Sequence, residues 1–174
     1  MYHKLGARPR HARIKGLYLT PQLFARQMAE LRAEGYETPS YGRPSTGPAA
    51  KAVAITFDDG FVNAFEHAVP VLAEHRFRAI QFLVADLLGQ YNEWEVTQNE
   101  IREPLMGPEH VRGWLAAGHE IGAQTLTHPY LTRISFRDAR EEIFAGKRKL
   151  EDQFNVPIRH FCYPYGDWNE PKTE

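Results

Sequence analysis

The spacing of apolar and polar positions divides the chain into alternating strands and helices. The first strong helix is TPQLFARQMAELRAEGY. Thr20 can cap its free N–H groups, Pro21 suits the first turn, and Gly35 suits the C-terminal stop. Leu23, Phe24, Met28 and Leu31 recur at helical spacing and predict one buried stripe. Residues 37–51 (ETPSYGRPSTGPAAK) are rich in Pro, Gly and Ser and read as an exposed loop. AVAITF, residues 52–57, is a continuous apolar run of strand length, as expected for a strand covered on both faces. A helix is expected over 63–75, and AIQFLV, residues 79–84, as a second buried strand. The polar stretch GQYNEWEVTQNEIREPLMG makes a long loop, a feature that often carries function. A helix from about Pro108 to Ala117 ends at Gly118, and HEIGA is a short strand. SFRDAREEIFAGKRKLEDQF is a helix capped by Ser135, and HFCYPYG is a last short strand and turn.

This alternation predicts an α/β fold with a parallel sheet, in one domain covering 1–174. Residues 1–51 supply an N-terminal segment, helix and loop, and 52–174 supply the core. The candidate polar residues fall just after strands: Asp58 and Asp59, then Gln124 to His128, then Tyr163 to Asp167. Sites in parallel α/β sheets and barrels lie at those strand ends.

Composition narrows the function classes. The 174 residues suffice for a real core, and 43% hydrophobic with 25% charged residues is ordinary for a globular protein. A net charge of −1 gives no electrostatic reason to expect nucleic acid or an anionic membrane. No apolar run approaches the roughly 18 residues of a spanning helix, and the opening MYHKLGARPRHAR has no apolar signal-peptide core. Cys162 is the single cysteine, so an internal disulfide is excluded.

TFDDG, residues 56–60, puts two carboxylates side by side at a strand end. Adjacent carboxylates repel, so one is expected to be neutralised by a cation or to take up a proton. A metal ligand beside a general base is one division of labour; a helix N-cap is the bland alternative. Gln124 and His128 stand in the i, i+4 relation that places two ligands on one face of a helical turn. A carboxamide oxygen is a poor zinc ligand, however, and hydrogen bonding within the loop is the alternative. The backbone N–H groups of the YPYG turn, Tyr163 to Gly166, can stabilise an oxyanion. His3 can act as an acid near neutral pH or lie in a frayed terminus. Trp94 and Tyr91 can stack on a sugar ring or close over the core.

Taken together, ITFDDG, GHEIGAQTLTHPYL and FCYPYG resemble the polysaccharide deacetylases of carbohydrate esterase family 4 in order, spacing and surrounding elements. MYH, the helix ending in EGY, and LGQYNEW resemble a branch acting on N-acetylated surface polysaccharides. The resemblance implies a deformed (β/α) barrel and a hydrolase that removes acetyl groups from N-acetylglucosamine-type sugars with a divalent metal, often zinc. Carried over, Asp58 is the general base, Asp59 and His128 are metal ligands, and Gln124 stands at the third ligand's place. The Tyr165 amide helps form the oxyanion hole, His3 is the candidate acid, and Tyr163, Pro164 and Trp94 are candidate substrate contacts.

Three departures qualify that reading. Gln124 replaces a histidine, and even losses around a metal's ligands cost roughly 10–100-fold in affinity. The chain stops soon after YPYG, which predicts a barrel incomplete at its C-terminal end, either open or completed by a partner chain or homo-oligomer. The arginine that many relatives carry before the PY pair is absent, with Cys162 and Tyr163 there instead. The rival readings are a carbohydrate-binding pseudoenzyme and a small-molecule amidohydrolase on the same scaffold. Relatives are often exported or surface-attached, and the sequence assigns no compartment.

Overall fold

A computed structural model describes residues 1–39, 51–96 and 100–168. All its strand pairs are parallel. The central sheet has the order β5 (Thr56–Phe57), β6 (Ile80–Leu83), β7 (Glu120–Ala123). Two single bridges extend it: Tyr2 pairs with Phe57 at one edge and Phe161 with Ala123 at the other. Beyond Tyr2, β1 (Lys4–Leu5) pairs with β2 (Tyr18–Leu19). The N-terminus is therefore built into the sheet, with Tyr2 N–H donating to Thr56 O at 2.8 Å and Asp58 N–H to Tyr2 O at 2.9 Å. The described strands form an open sheet, not a closed barrel.

The helices are α1 (Pro21–Ala33), α2 (Val62–His75), α3 (Glu93–Val96), α4 (Pro108–Ala116) and α5 (Phe136–Phe154). Thr20 and Ser135 cap α1 and α5 through their side-chain oxygens, as their sequence positions predict. α2 packs between α1 and α4, and α5 packs on β7. An aromatic line of Phe24, Phe57 and Trp114, in edge-on contact with neighbouring centroids 5.7 Å apart, joins α1, β5 and α4 through the core.

Four expectations need correction. The run 52–57 is two strands: β4 (Lys51–Ala52) pairs with β3 (Tyr36–Glu37), while β5 pairs with β6. The two halves have different partners, so the chain leaves one pairing before entering the other. Leu23 lies off the buried stripe at 42% exposure, whereas Phe24 and Met28 are fully buried. The long polar stretch carries a helical turn, α3, which a reading of loop composition misses. The last expected strand contributes one bridge at Phe161 and then a short 3₁₀ turn, Pro164–Gly166. Most of the Pro- and Gly-rich stretch 37–51 lies outside the described residues.

Candidate active site

The loops that follow β5 and β7, the 3₁₀ turn and the N-terminal stretch meet around a cleft of about 430 Å³. His3, Asp58, Asp59, Trp94, Gln124, His128, Cys162, Tyr163 and Tyr165 all line it. Every candidate side chain except Pro164 and Tyr91 thus converges on one place. Pro164 is buried within its turn and is absent from the cleft wall. Its fixed φ suits the first position of the turn, and Tyr163 and Tyr165 on either side face outward. Tyr91 also lies outside the cleft, with Arg102 stacked over its ring at 3.7 Å.

The backbone here is strained. Asp59, Thr125, His128 and Tyr165 all adopt left-handed φ values, between 59° and 70°. Such conformations cost about 1–3 kcal/mol each in non-glycine residues and cluster at functional sites. The strain replaces the helical turn expected for Gln124 and His128: residues 124–130 form no helix, and positive φ at Thr125 and His128 folds the loop back. Gly60, at φ +83°, is required, because a Cβ there would lie 2.9 Å from Leu83 Cδ2.

The two aspartates have separate partners. The N-cap of α2 is Phe61, so neither carboxylate serves as the helix cap. Asp58 Oδ2 lies 3.8 Å from His3 Nε2 and accepts a thiol hydrogen bond from Cys162 at 3.6 Å. Its Oδ1 is buried with no hydrogen-bond partner. Burial raises the Asp58 pKa above the usual carboxylate value; His3 opposes the rise and Asp59 adds to it. Asp59 Oδ1 lies 3.3 Å from His128 Nε2. Burial alone would raise Asp59, but the hydrogen bond and charge of His128 outweigh it and hold Asp59 low. The environments thus push two neighbouring carboxylates in opposite directions.

Gln124, 2% exposed, completes the group. Its Oε1 accepts from the Asp59 backbone N–H at 3.0 Å, and its Nε2 donates to Asp59 Oδ1 at 2.9 Å. The same Nε2 lies 3.2 Å from His128 Nε2. The atom facing Asp59 and His128 is therefore an amide nitrogen, which has no lone pair to give a cation. No group of three or more His, Cys, Asp or Glu among the described residues is arranged to hold a metal ion. The residues present do not fit the divalent cation that the resemblance implies. His119 and His160 offer no replacement, since neither lines the cleft. His119 packs on Trp114 at 4.4 Å and His160 faces Glu120 at 3.4 Å.

Aromatic rings brace this group. Trp94 stacks on His128 at 4.2 Å, Tyr165 meets His128 edge-on at 4.6 Å, and Tyr130 stacks on Tyr165 at 3.8 Å. Sequence reasoning missed Tyr130, Cys162 as a partner of Asp58, and the buried Lys4–Glu95 ion pair beside the cleft. Lys4 and Glu95 are the immediate neighbours of His3 and Trp94, which was the available signal.

The chain belongs to the polysaccharide deacetylase family, whose model matches residues 45–174. It is similar to a chitooligosaccharide deacetylase of Sinorhizobium fredii, 32% identical over 73% of this chain and 53% of the relative. The chain spans about half the length of the curated relatives it matches. Among solved structures, it resembles the Streptococcus pyogenes deacetylase PplD in complex with acetate, with a TM-score of 0.80 and 23% identity. That match covers 97% of this chain and 74% of the other. It also resembles a Bacillus cereus polysaccharide deacetylase, with a TM-score of 0.81 and 23% identity, covering 97% and 51%. At that identity the two structures speak for the fold. Among the described residues no helix is long and apolar enough to cross a membrane.

Proposed function

We propose that the chain is a single carbohydrate N-deacetylase-type domain that takes an N-acetylated poly- or oligosaccharide into this cleft and hydrolyses its acetamide. One observation carries the reading. In a fold shared with polysaccharide deacetylases, Asp58 presents a buried carboxylate of raised pKa, with one unpartnered oxygen, beside His3. Asp58 accepts a proton from the attacking water, and its raised pKa brings it nearer the operating range of a general base. The Tyr165 backbone N–H supports the oxyanion. His3 delivers a proton to the leaving amine. Tyr163 and Tyr165, 46% and 39% exposed, give the cleft an aromatic rim suited to sugar rings. The MYH opening supports placement in the branch acting on surface polysaccharides. No step is assigned to a metal, because the donor set does not fit one.

Release of acetate and free amine from N-acetylglucosamine oligomers tests the reading. Asp58→Asn should lower turnover at least ~10²-fold with the fold intact, as expected for loss of a general base. Equal turnover by the variant would remove Asp58 from the chemistry. A second reading, a sugar-binding cleft without turnover, is favoured by Gln124. Oligomer binding by calorimetry with no acetate release would select it.

A further inference from the structure

We propose that Gln124 closes the cation position of this cleft, so that the cleft holds no divalent metal, and that a single isosteric change would open it. The inference goes beyond the deacetylase reading and does not depend on it. Gln124 Nε2, Asp59 Oδ1 and His128 Nε2 form a buried triangle with sides of 2.9, 3.2 and 3.3 Å. Ligands about 2.0–2.2 Å from a tetrahedral zinc ion stand roughly 3.3–3.6 Å apart. The spacing is thus near that of a metal's ligands, but one corner is an N–H donor.

The orientation of the amide is fixed by its surroundings. Asp59 N–H is buried and requires an acceptor, and the Gln124 carboxamide oxygen supplies it at 3.0 Å. Turning the amide to offer its oxygen to a cation would set NH2 against that N–H. The turn would also leave a buried donor unsatisfied, a cost of about 1–3 kcal/mol. In its present setting the NH2 group instead donates to the Asp59 carboxylate, whose charge a cation would otherwise balance. Asp59 Oδ1 is thus already hydrogen-bonded from within the chain, and the competing ion has to displace that satisfied hydrogen bond as well as find a third ligand. Glutamate at 124 has the same shape but no donor. One carboxylate oxygen can keep the Asp59 N–H while the other completes a three-ligand set with Asp59 and His128.

Calorimetric zinc titration of the chelator-stripped chain and of Gln124→Glu tests the proposal, with thermal denaturation as a second readout. The wild type should show no stoichiometric zinc binding and no change in Tm on zinc addition. Gln124→Glu should melt lower than wild type without metal, because two carboxylates then face each other. It should bind zinc one-to-one, at least ~100-fold more tightly than the wild type, and regain Tm with zinc. That binding should vanish in Gln124→Glu combined with Asp59→Asn. If Gln124→Glu does not fold, Gln124→His takes its place with the same expectation for zinc. One-to-one micromolar binding by the wild type, lost in Asp59→Asn, would overturn the proposal. So would a folded variant at 124 that gains no affinity. Zinc binding by the wild type would return a metal to the mechanism, but acetate release is measured without reference to it, so failure of this proposal and failure of the deacetylase reading are distinguishable.

Discussion

Cys162 shows how a residue of no obvious motif is drawn into a site by its neighbours. Burial, then the charge of Asp58, pushes its thiol up to about 12. It therefore stays protonated and can donate to Asp58 Oδ2. That value lies above the ordinary thiol value of 9.0, so the thiolate, which is the reactive form, is depleted near neutral pH. Iodoacetamide should accordingly label native Cys162 at least ~10-fold more slowly than free cysteine, and faster in Asp58→Asn, where the neighbouring charge is gone. Labelling at the free-cysteine rate, unchanged by that substitution, would dissociate Cys162 from Asp58. Nothing in FCYPYG reports this contact, because residues 58 and 162 meet only through the parallel pairing of three strands. Asp58, Asp59, Gln124 and His128 were legible as candidates, since motif order and strand-end position identify them. The hydrogen bonds that decide what Gln124 offers to a cation were not, because they depend on the Asp59 backbone amide and its positive φ.

At the scale of elements, α5 is the clamp that holds the loop after β7 in its strained form. Glu142 accepts from the Leu126 and Thr127 N–H groups, both at 2.9 Å, and from Thr127 Oγ1 at 2.7 Å. One turn further on, Gly146 lets the helix touch the loop backbone: a Cβ there would lie 2.7 Å from the Thr125 carbonyl carbon. Backbone cannot rotate out of the way as a side chain can, so Gly146→Ala must separate helix and loop. A loss of about 1–3 kcal/mol in urea denaturation is expected, as for overpacked cores. A neutral result would mean that the loop yields freely. The other end of β7 carries His119, buried against Trp114 with both ring nitrogens unpartnered. Burial, with a smaller effect from Arg78, lowers its pKa from 6.5 to about 4. The unfolded chain therefore binds this proton more readily than the folded one. The stabilising difference is complete above the unfolded value and is lost as pH falls towards about 4. His119→Phe should lose less stability than the wild type between about pH 7 and pH 5, read from urea midpoints. Parallel losses in both proteins would exclude His119 as the cause. Helix spans and caps were legible because periodicity and capping are local. The division of 52–57 into β4 and β5 was not, because only distant pairing partners distinguish the halves.

Across the whole molecule, the N-terminal strand and the long polar stretch are joined by one buried ion pair. Lys4, fully buried, bonds Glu95 of α3, and its ammonium also lies 4.5 Å from the Phe61 ring and 4.9 Å from the Tyr18 ring. Asn92 Nδ2 donates to the same Glu95 oxygen at 2.6 Å. The pair thereby ties β1, which His3 immediately precedes, to the helix that sets Trp94 over His128, so two walls of the cleft share one electrostatic anchor. The α/β class was legible from strand–helix alternation, but this tie was not: a lysine at position 4 and a glutamate at 95 look solvated in sequence. Burial raises the Glu95 pKa and Lys4 opposes that rise, so without the cation a buried carboxylate would lack its compensating charge. Lys4→Met should therefore destabilise the chain by about 3–5 kcal/mol, the range for breaking one side of a buried pair. Replacing both partners, as in Lys4→Met with Glu95→Leu, should recover most of that loss, because no charge then remains to be balanced. The deficit of the single variant should also shrink as pH is lowered, since a protonated Glu95 needs no cation. Urea denaturation of the two variants at two pH values reads all three effects. If the single variant loses under about 1 kcal/mol, the pair behaves as an exposed one and does not anchor the cleft.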